Sequence, residues 1–195
     1  MRRPPLTREV ILDQAIELLD RDGLAALSMR RLGDALGVEA MSLYNHVANK
    51  AALLDGIHER ILLSLDEPPP KARRSWQAFS RHQAHALHRA LVAHPHAISL
   101  FATRPASTPA AIAQLSRYLE VLTSAGFRLL DAISVVQLTA QLVVGHVMWT
   151  SSVATIEVST PPSAKLAQAL DRWDPDRELT LGIDALLHGF QRLLT

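Results

Sequence analysis

Apolar residues recur at helical spacing along almost the whole chain, and polar residues mark where each helical stretch begins and ends. The first stretch follows Thr7, a residue type that caps helix N-termini, and stops at Asp22-Gly23. A second, short stretch follows Ser28 and ends at Gly37, and a third covers about residues 40–46. The pattern therefore predicts three helices within the first quarter of the chain.

A fourth helix is predicted after Asn49, and three prolines at 68–70 close it because proline cannot continue a helix. Later apolar patterns predict helices over about 76–94, 109–126, 128–152, 164–173 and 177–194, with a Ser/Thr/Pro loop at 159–163. No stretch shows the alternation typical of a strand. The sequence thus predicts an all-α fold with two domains, residues 1–66 and residues 67–195.

The composition is that of a folded globular protein, since 48% of the 195 residues are hydrophobic and 20% are charged. The absence of cysteine excludes disulfides, thiolate zinc sites and cysteine nucleophiles, and it is consistent with a reducing compartment. The first residues lead into a polar helical pattern rather than into the apolar core of a secretory signal. We therefore expect a cytoplasmic protein.

One segment, residues 132–156, has no charged side chain over 25 residues and is long enough to span a bilayer. Serine, threonine, glutamine and histidine interrupt it, so that no unbroken apolar run reaches the ~18 residues of a membrane helix. We interpret this segment as a buried helix of a protein that has no membrane partner.

Two short helical stretches joined at Leu36-Gly37-Val38 match the helix-turn-helix unit, whose second helix enters the major groove of DNA. The second stretch, residues 39–47, uses only Leu43 and Val47 clearly for packing and leaves hydroxyl, amide and imidazole groups outside. The candidate DNA contacts are Ser42, Tyr44 and Lys50 for phosphates, Met41 and Asn45 for base edges, and Arg30 for guanine.

The total charge gives no general attraction to nucleic acid, since the formal net charge is +1 and residues 1–65 carry 8 basic and 9 acidic side chains. The basic residues are placed unevenly, however. Arg2, Arg3 and Arg8 stand at the N-terminus, while Arg30, Arg31 and Lys50 flank the candidate recognition helix. Any electrostatic contribution to DNA binding must therefore be local.

The stretch from Leu6 to Ile57, which contains LSMRRLGDALGVEAMSLYNHVANKAALLDGI, resembles the DNA-binding domain of TetR-family transcriptional regulators. More diffusely, the second half is similar to the tetracycline-repressor-type effector domain, through SWQAF from Ser75, TRP at Thr103 and GIDALLHGF from Gly182. The resemblance implies a homodimer that binds a palindromic operator and releases it when a small molecule binds the second domain. It also implies DNA contacts by Ser28, Arg30, Met41, Ser42, Tyr44, Asn45, His46 and Lys50.

The last predicted helix supplies separate evidence for a partner helix. Its apolar residues Leu179, Ile183, Leu186, Phe190 and Leu193 recur every 3.5 residues on average, which is the seam of coiled-coil packing. Small residues, Gly182, Ala185 and Gly189, would let another helix approach closely. The sequence predicts a four-helix dimer interface with the uncharged helix, formed by Leu179, Gly182, Ile183, Leu186, Gly189, Phe190 and Leu193. Burial of both helices within one subunit is the alternative.

The effector pocket is less clearly marked. Ser134, Gln137, Gln141 and Gly145 form a polar or small stripe on the uncharged helix. Gln137 and Gln141 either face an effector or make internal hydrogen bonds, since buried amides need partners. The other ligand-binding candidates, chosen by position in the family and by aromatic or polar character, are Trp76, Gln83, Leu87, Phe101, Thr103, Arg104, Met148 and Trp149.

The sequence predicts no metal and no cofactor. Leu100 occupies the position where the tetracycline repressor would place a magnesium-binding histidine, and leucine cannot coordinate a metal. His82, His85 and His88 spread over ~120° of a helix surface, and no carboxylate lies between Glu67 and Glu120 to complete a site nearby. We interpret these histidines as solvated or pocket residues.

Residues 68–119 contain seven basic side chains and no acidic one, a local charge of +7. Part of this window could attract an anionic effector. The alternative is that it pairs with the acidic C-terminal section. The basic residues are Lys71, Arg73, Arg74, Arg81, Arg89, Arg104 and Arg117, and the acidic ones are Glu157, Asp171, Asp174, Asp176, Glu178 and Asp184.

Taken together, these features favour a transcriptional repressor that binds operator DNA as a homodimer and responds to a small molecule. An all-α enzyme is the alternative from another class, but no Ser/His/Asp order, paired carboxylates or phosphate loop supports it. A dimer that binds DNA without responding to ligands is a third possibility.

Overall fold

The computed structural model describes residues 5–153 and 163–194, and every regular element in these two ranges is helical. This confirms the all-α prediction. Arg2, Arg3, Glu157 and residues 159–162 of the predicted loop lie outside the described residues. The helices are α1 (Arg8–Asp22), α2 (Met29–Leu36), α3 (Ala40–Leu43), α4 (Lys50–Leu63), α5 (Trp76–Ala93), α6 (Ile98–Thr103), α7 (Pro109–Ser124), α8 (Leu129–Val153), α9 (Ala164–Leu170) and α10 (Pro175–Phe190).

The polar residues predicted to begin helices do so by hydrogen bonding. The side-chain oxygens of Thr7, Ser28, Asn49 and Thr108 each accept from the backbone N–H three residues later, over 2.9–3.3 Å. Each bond satisfies one of the N–H groups that the first turn of a helix leaves without a partner. The predicted caps of α1, α2, α4 and α7 are therefore confirmed.

Two parts of the helix prediction were wrong. The third helix ends at Leu43 instead of about His46, because the chain continues in tight turns, in which the N–H groups of Tyr44 and His46 donate to the carbonyls three residues back. The sequence also gave no sign of α6, which follows a 3-10 turn at Pro95–Ala97. Six residues are too few for a helical period to show in the apolar pattern.

The described chain forms two compact units, which we treat separately. The first unit contains the residues up to Asp66 together with Arg89–Tyr118. Its core joins apolar side chains of α1 to α4 with Ala97 and Leu100. The largest fully buried side chains of this unit are Ile11, Leu12, Leu19, Leu27, Leu32, Leu43, Leu53, Ile57, Ile61, Leu91 and Leu100.

Polar contacts reinforce this core at the edges of α1. Arg8 of α1 donates to the buried carboxylate of Glu59 over 2.8 Å. Burial raises the pKa of Glu59, but hydrogen bonds from Arg8 and Thr108 and the charge of Arg8 outweigh it, so the net direction is down. At the other end of α1, a ring nitrogen of His94 lies 2.8 Å from a carboxylate oxygen of Asp20. Both ends of α1 are thus tied to later parts of the chain.

The buried His58 of α4 makes stability depend on pH. Its ring packs edge-on against Phe101 at 4.3 Å between centroids. Burial lowers the pKa of His58 from its ordinary value of 6.5; Asp55 raises it and Arg104 lowers it further. As the pH falls, His58 therefore binds a proton in the unfolded chain before it does so in the folded chain. The contribution of neutral His58 to stability is complete above about pH 6.5 and is lost as the pH falls through the lower folded-state pKa.

We therefore expect denaturant titrations to give a free energy of unfolding that falls with pH below about 6.5. In a His58→Leu variant this decline should be shallower, because the residue that takes up the proton on unfolding is gone. If both proteins lost stability at the same rate, His58 would not be a source of the pH dependence.

The second unit contains Glu67–His88 and the described residues from Leu119 onward. The ring of Trp76 at the start of α5 packs edge-on against Phe127, with 4.8 Å between centroids. Helices α8 and α10 pack against each other, and the side chain of Leu142 lies where a Cβ on Gly182 would make ordinary contact. The interior of this unit is therefore built largely from α5, α8 and α10.

One described helix, Leu129–Ser152, would be long and apolar enough to cross a membrane if length and composition alone were considered. A third of its most apolar window is buried within the chain. Within a single chain one face of α8 therefore stays exposed, and the expected burial of this helix stays a prediction for a dimer.

Candidate DNA interface and effector site

The turn between α2 and α3 fixes the direction of the candidate recognition helix. Gly37 adopts the left-handed conformation, with φ 57° and ψ 43°, which a residue with a side chain rarely adopts. The N–H of Val38 then donates to the carbonyl of Gly33 over 2.9 Å. Leu43 and Val47 are buried in the core of the first unit, so α3 has only one face free.

Helix α3 also lies against the backbone of α2 at a single glycine. A Cβ built on Gly33 would be 2.8 Å from the carbonyl oxygen of Val38 and 3.1 Å from the nitrogen of Ala40. No side chain fits at that distance. This requirement could not be predicted from the sequence, because a glycine inside a helical pattern does not show which backbone it contacts.

The free face of α3 and its surroundings present most of the predicted DNA contacts to solvent. Met41 is 72% exposed although it is a large apolar residue. Tyr44, Asn45 and His46 are exposed, and Ser42 is half-buried. Ser28 is half-buried because its hydroxyl caps α2. The structure therefore brings these predicted residues together around one short helix.

Beside this face, Arg31 is engaged in an ion pair, whereas Arg30 and Lys50 are not. Arg31 is held by Asp22 at 2.6 Å and donates to the carbonyl of Ala26. The hydrogen bond from Arg21, reinforced by the charges of Arg21 and Arg31, lowers the pKa of Asp22, so this carboxylate stays ionised. Arg30 and Lys50, in contrast, are exposed and form no ion pair in the described part of the chain.

Two other cations of the first unit, Arg8 and Arg60, are paired with acids of the same unit. Arg8 pairs with Glu59, and Arg60 pairs with Asp13 through two nitrogens at 2.8 and 3.1 Å. These acids lie away from α3 along the sequence and are already compensated. A net charge near zero over residues 1–65 is therefore compatible with free positive charge at the candidate DNA face.

The ligand candidates on α5 share one side of that helix in the second unit. Trp76 and Leu87 are buried, and Gln83 is half-buried with its Oε1 atom fully enclosed. These three residues are separated by seven and four positions, so they lie on one helical face. The structure thus groups three of the predicted ligand residues.

The ligand candidates on α8 lie on the exposed side of α8, away from its buried residues. Gln137, Gln141, Met148 and Trp149 are all exposed, as are Ser134 and Gly145 of the same stripe. Ser134 bonds to the carbonyl of its own helix four residues back. Within a single chain, therefore, neither glutamine lies beside Trp76, Gln83 and Leu87.

Three further ligand candidates belong to the first unit. Phe101 is half-buried against His58, and the exposed Thr103 donates to the carbonyl of Ser99 over 2.7 Å. Arg104 lies 2.7 Å from the carboxylate of Asp55 and also donates to the carbonyl of Ala51. Because both acceptors belong to α4, Arg104 joins the end of α6 to the helix that follows the recognition helix.

The predicted dimer residues divide between the inside and the outside of the chain. Leu179, Ile183 and Phe190 are buried, Gly182 and Leu186 are half-buried, and Gly189 and Leu193 are exposed. The predicted seam therefore packs within this chain, mainly on α8. Large apolar side chains that remain exposed on α8, on α10 and in the turn after α10 are Leu129, Leu130, Leu138, Met148, Trp149, Leu181 and Leu193.

The basic window at 68–119 pairs mostly with acids other than the C-terminal section. Arg73, Arg89 and Arg104 pair with Glu67, Asp66 and Asp55, whereas Arg81 pairs with Asp184 of that section. Arg117 is hydrogen-bonded to Gln114. Lys71 and Arg74 form no ion pair within the described ranges. Most of this positive charge is thus engaged.

Among the described residues, no group of three or more histidine, cysteine or acidic side chains is arranged to hold a metal ion. His82, His85 and His88 are half-buried on α5. The ring of His88 lies 5.8 Å, between centroids, from the ring of His146 on α8. His88 therefore marks a place where α5 and α8 meet.

Comparison with known proteins assigns both parts of the chain. A family model for bacterial regulatory proteins of the tetR family matches residues 11–57, and one for the tetracyclin repressor-like C-terminal domain matches residues 68–189. The tetracycline repressor protein class D of Escherichia coli is 32% identical over 201 residues, which cover 97% of this chain and 91% of that protein.

Solved structures show the same fold over nearly the full length. Apo ActR from Streptomyces coelicolor superposes with a TM-score of 0.80 at 28% identity, covering 97% of this chain and 96% of that one. A TetR variant from Acinetobacter baumannii in complex with minocycline gives a TM-score of 0.81 at 25% identity, with 97% and 95% covered. The structural similarity therefore covers both the part of the chain that contains α1 to α4 and the remainder.

Proposed function

We infer how this chain works from the premise that it belongs to the TetR family of bacterial regulatory proteins and is a ligand-responsive, DNA-binding transcriptional repressor. We propose that residues 1–66 bind DNA and that residues 67–195 bind the effector and form the dimer. The observation that carries this assignment is the exposed face of α3, flanked by the unpaired cations Arg30 and Lys50. The protein would act in the cytoplasm, where operator DNA is accessible.

In this proposal α3 enters the major groove of a palindromic operator. Arg30 would form two hydrogen bonds with a guanine, and Met41 and Asn45 would meet base edges. Phosphates would be held by Ser42, Tyr44 and Lys50. These contacts would set the position of the helix along the DNA, but phosphate contacts carry no sequence information by themselves. Ser28 and His46 lie at the edge of the same surface.

The dimer would form through the exposed apolar faces of α8 and α10. Soluble monomers rarely expose a contiguous patch of large apolar side chains. Leu130, Leu138 and Trp149 of α8 and Leu181 of α10 are exposed in the single chain. In a four-helix contact, α8 and α10 of one chain would pack against α8 and α10 of the second chain. Gly145 and Gly189 would allow these helices to approach closely.

Release of DNA requires that the effector prefer a conformation in which the two heads are wrongly spaced for two half-sites about 34–36 Å apart. The Arg104 contacts to Asp55 and Ala51 offer a route for this coupling, because they join α6 to α4. Helix α4 begins directly after the recognition helix. An effector bound through Trp76, Gln83 and Leu87 would release DNA only if it preferred the wrongly spaced conformation.

Substitution of the two free cations tests the DNA assignment. We expect Arg30→Ala to weaken operator binding by about 1–3 kcal/mol and to relax preference at one base pair, because a bidentate guanine contact is lost. Lys50→Ala should weaken all sequences equally and reduce the slope of log affinity against log salt by about one per subunit. Binding is measured on the promoter region beside the protein's own gene at several salt concentrations.

Lys165→Ala, which removes an exposed cation of α9, is the matched control and should bind like the wild type. Equal losses in all three variants would mean that only the total charge matters. If the wild-type protein shifted no genomic fragment in a sequence-specific way, the assignment as an operator-binding regulator would fail.

A further inference from the structure

Two arginines stand side by side at the start of α2, and only one of them is engaged within the chain. Arg30 is exposed and forms no ion pair in the described part of the chain. Arg31 is also exposed, but its Nη2 atom donates to a carboxylate oxygen of Asp22 over 2.6 Å, and its Nη1 atom donates to the carbonyl of Ala26 over 3.2 Å. The two side chains have the same chemistry, so the difference between them comes from Asp22 and the turn before α2.

The carboxylate of Asp22 binds a second arginine as well. Arg21 donates to both of its oxygens, over 2.9 and 3.0 Å. Asp22 thus accepts three hydrogen bonds from two guanidinium groups, and hydrogen bonds between charged groups are the stronger kind. One acidic residue therefore holds two cations at the junction of α1 and α2.

The stability of α1 does not explain an acid at position 22. Asp22 is the last residue of this helix. A carboxylate there is unfavourable for the helix, because the free carbonyls of the last turn carry partial negative charge. The pair with Arg31 is partly exposed, with 48% of the Arg31 side chain and 22% of the Asp22 side chain accessible, and such pairs add little to folding stability. A role in DNA binding accounts for an acid at this place.

The consequence for DNA binding follows from the number of cations that can reach phosphates. Each arginine or lysine that neutralises a phosphate steepens the fall of log affinity with log salt concentration by about 0.9, on any DNA sequence. The Cα atom of Arg31 is about 3.8 Å from that of Arg30, well within the Debye length of about 10 Å at 0.1 M salt. If Arg31 were released from Asp22, it would therefore strengthen binding to any duplex that Arg30 approaches.

This gain would be larger for non-specific DNA than for an operator. A complex held only by phosphates can shift along the duplex until the additional cation lies beside one. The operator complex is fixed in place by its base contacts and cannot shift without losing them. Release of Arg31 therefore lowers the ratio of specific to non-specific affinity.

We propose that Asp22 is a specificity-determining residue, which holds Arg31, and with it Arg21, away from DNA phosphates. Arg30 and Lys50 then remain for DNA beside α3, the first for a guanine and the second for a phosphate. This inference rests on the proposed binding of DNA by residues 1–66. It assigns to the acid beside the DNA face a part in choosing the sequence, although it touches no base.

Binding of the full-length protein to two duplexes at several salt concentrations tests the proposal. One duplex is the promoter region beside the protein's own gene, and the other is a scrambled duplex of the same length and composition. We expect Asp22→Asn to bind the scrambled duplex about tenfold more tightly at 0.1 M salt and to steepen its salt slope by at least about one per subunit. Affinity for the promoter duplex should rise less, so that the preference for it falls at least about threefold.

Asp34→Asn is the matched control. It removes the same charge from the exposed side of α2, at a residue that forms no ion pair within the described ranges. This variant should raise affinity for both duplexes slightly and equally, because no arginine is released. If Asp22→Asn and Asp34→Asn behaved alike, the loss of a negative charge would explain both, and the proposal would be overturned.

Removal of the arginine itself separates its release from a general effect of charge. Arg31→Gln should leave the salt slope for both duplexes at the wild-type value, since a held Arg31 contacts no phosphate. Combined with Asp22→Asn, the same substitution should make the slope for the scrambled duplex less steep by about one per subunit. If Arg31→Gln alone flattened the slope as much as Lys50→Ala is expected to, Arg31 would already contact DNA in the wild type, and the proposal would fail.

The melting temperature of each variant is measured alongside and should stay near the wild-type value, because the ion pairs are partly exposed. If Asp22→Asn did not fold, the salt slope of Arg31→Gln alone would decide the proposal. A wild-type preference for the promoter duplex that Asp22→Asn retained in full would refute this inference only. A wild-type protein that bound both duplexes equally would instead refute the proposed function.

Discussion

Gly33→Ala is expected to abolish specific operator binding and to lower the free energy of unfolding by about 1–3 kcal/mol. The added Cβ would lie 2.8 Å from the carbonyl oxygen of Val38, 3.1 Å from the nitrogen of Ala40 and 3.3 Å from its Cα. All three atoms are backbone, so none can rotate away. The turn between α2 and α3 must open, and the recognition helix must move with it.

The direction of this effect depends on the clash outweighing helix propensity. In an open helical position, alanine is more stable than glycine by up to about 1 kcal/mol. Gly145 of α8 is such a position within the chain, since nothing lies within 4 Å of a Cβ built there. At Gly33 the backbone of the next helix occupies the space, and the same substitution changes sign.

Thermal or denaturant unfolding and operator titration measure the two parts of the prediction. Ala35→Ser, an exposed change on the same helix, is the control and should alter neither quantity substantially. A Gly33→Ala protein that melted at the wild-type temperature and bound operator with wild-type affinity would show that the turn can accommodate the methyl group. The close approach would then have no part in positioning α3.

The sequence predicted the local features of the head well because each depends on a residue and its near neighbours. Ser28 and Asn49 carry the side-chain oxygen that an N-terminal helix turn needs, and Gly37 permits the left-handed conformation. The adjacent Arg30 and Arg31 could not be distinguished in this way. Arg31 turns toward Asp22 and Arg30 does not, and this depends on where α1 lies.

The seam on the last helix shows the same limit at larger scale. Leu179, Ile183 and Phe190 were predicted to pack against a helix, and they do, but that helix is α8 of the same chain. Periodicity identifies a packing face, while the identity of its partner depends on distant residues. For the same reason Gln137 and Gln141 could not be assigned to the inside or the outside of α8. Exposure in the folded chain places them outside.

Leu138→Glu is expected to convert the proposed dimer into a monomer. Leu138 is 44% exposed on the apolar face of α8, between Leu130 and Trp149. A carboxylate there would be buried without a partner in a dimer. Because a two-fold contact uses the same patch on both chains, the substitution would occur twice in one interface and bring like charges together. The folded single chain should tolerate it, since the side chain already faces solvent.

The measured mass should fall from twice to once 21.4 kDa by light scattering, with helical content unchanged. Operator affinity should fall by more than about a hundredfold, because a monomer holds one half-site and loses the gain from linking two heads. Leu181→Glu on α10 should behave in the same way if both helices share the interface.

Ile112→Glu is the matched control, since Ile112 is 48% exposed on α7 in the other compact unit. Ile112→Glu should leave the dimer mass and operator affinity at wild-type values. This result would show that the effect of Leu138→Glu depends on where the charge is placed and not only on the added charge. A dimeric Leu138→Glu protein with wild-type operator affinity would remove this face of α8 from the interface. The exposed apolar stripe would then need a different explanation, because neither helix packing within the chain nor solvent covers it favourably.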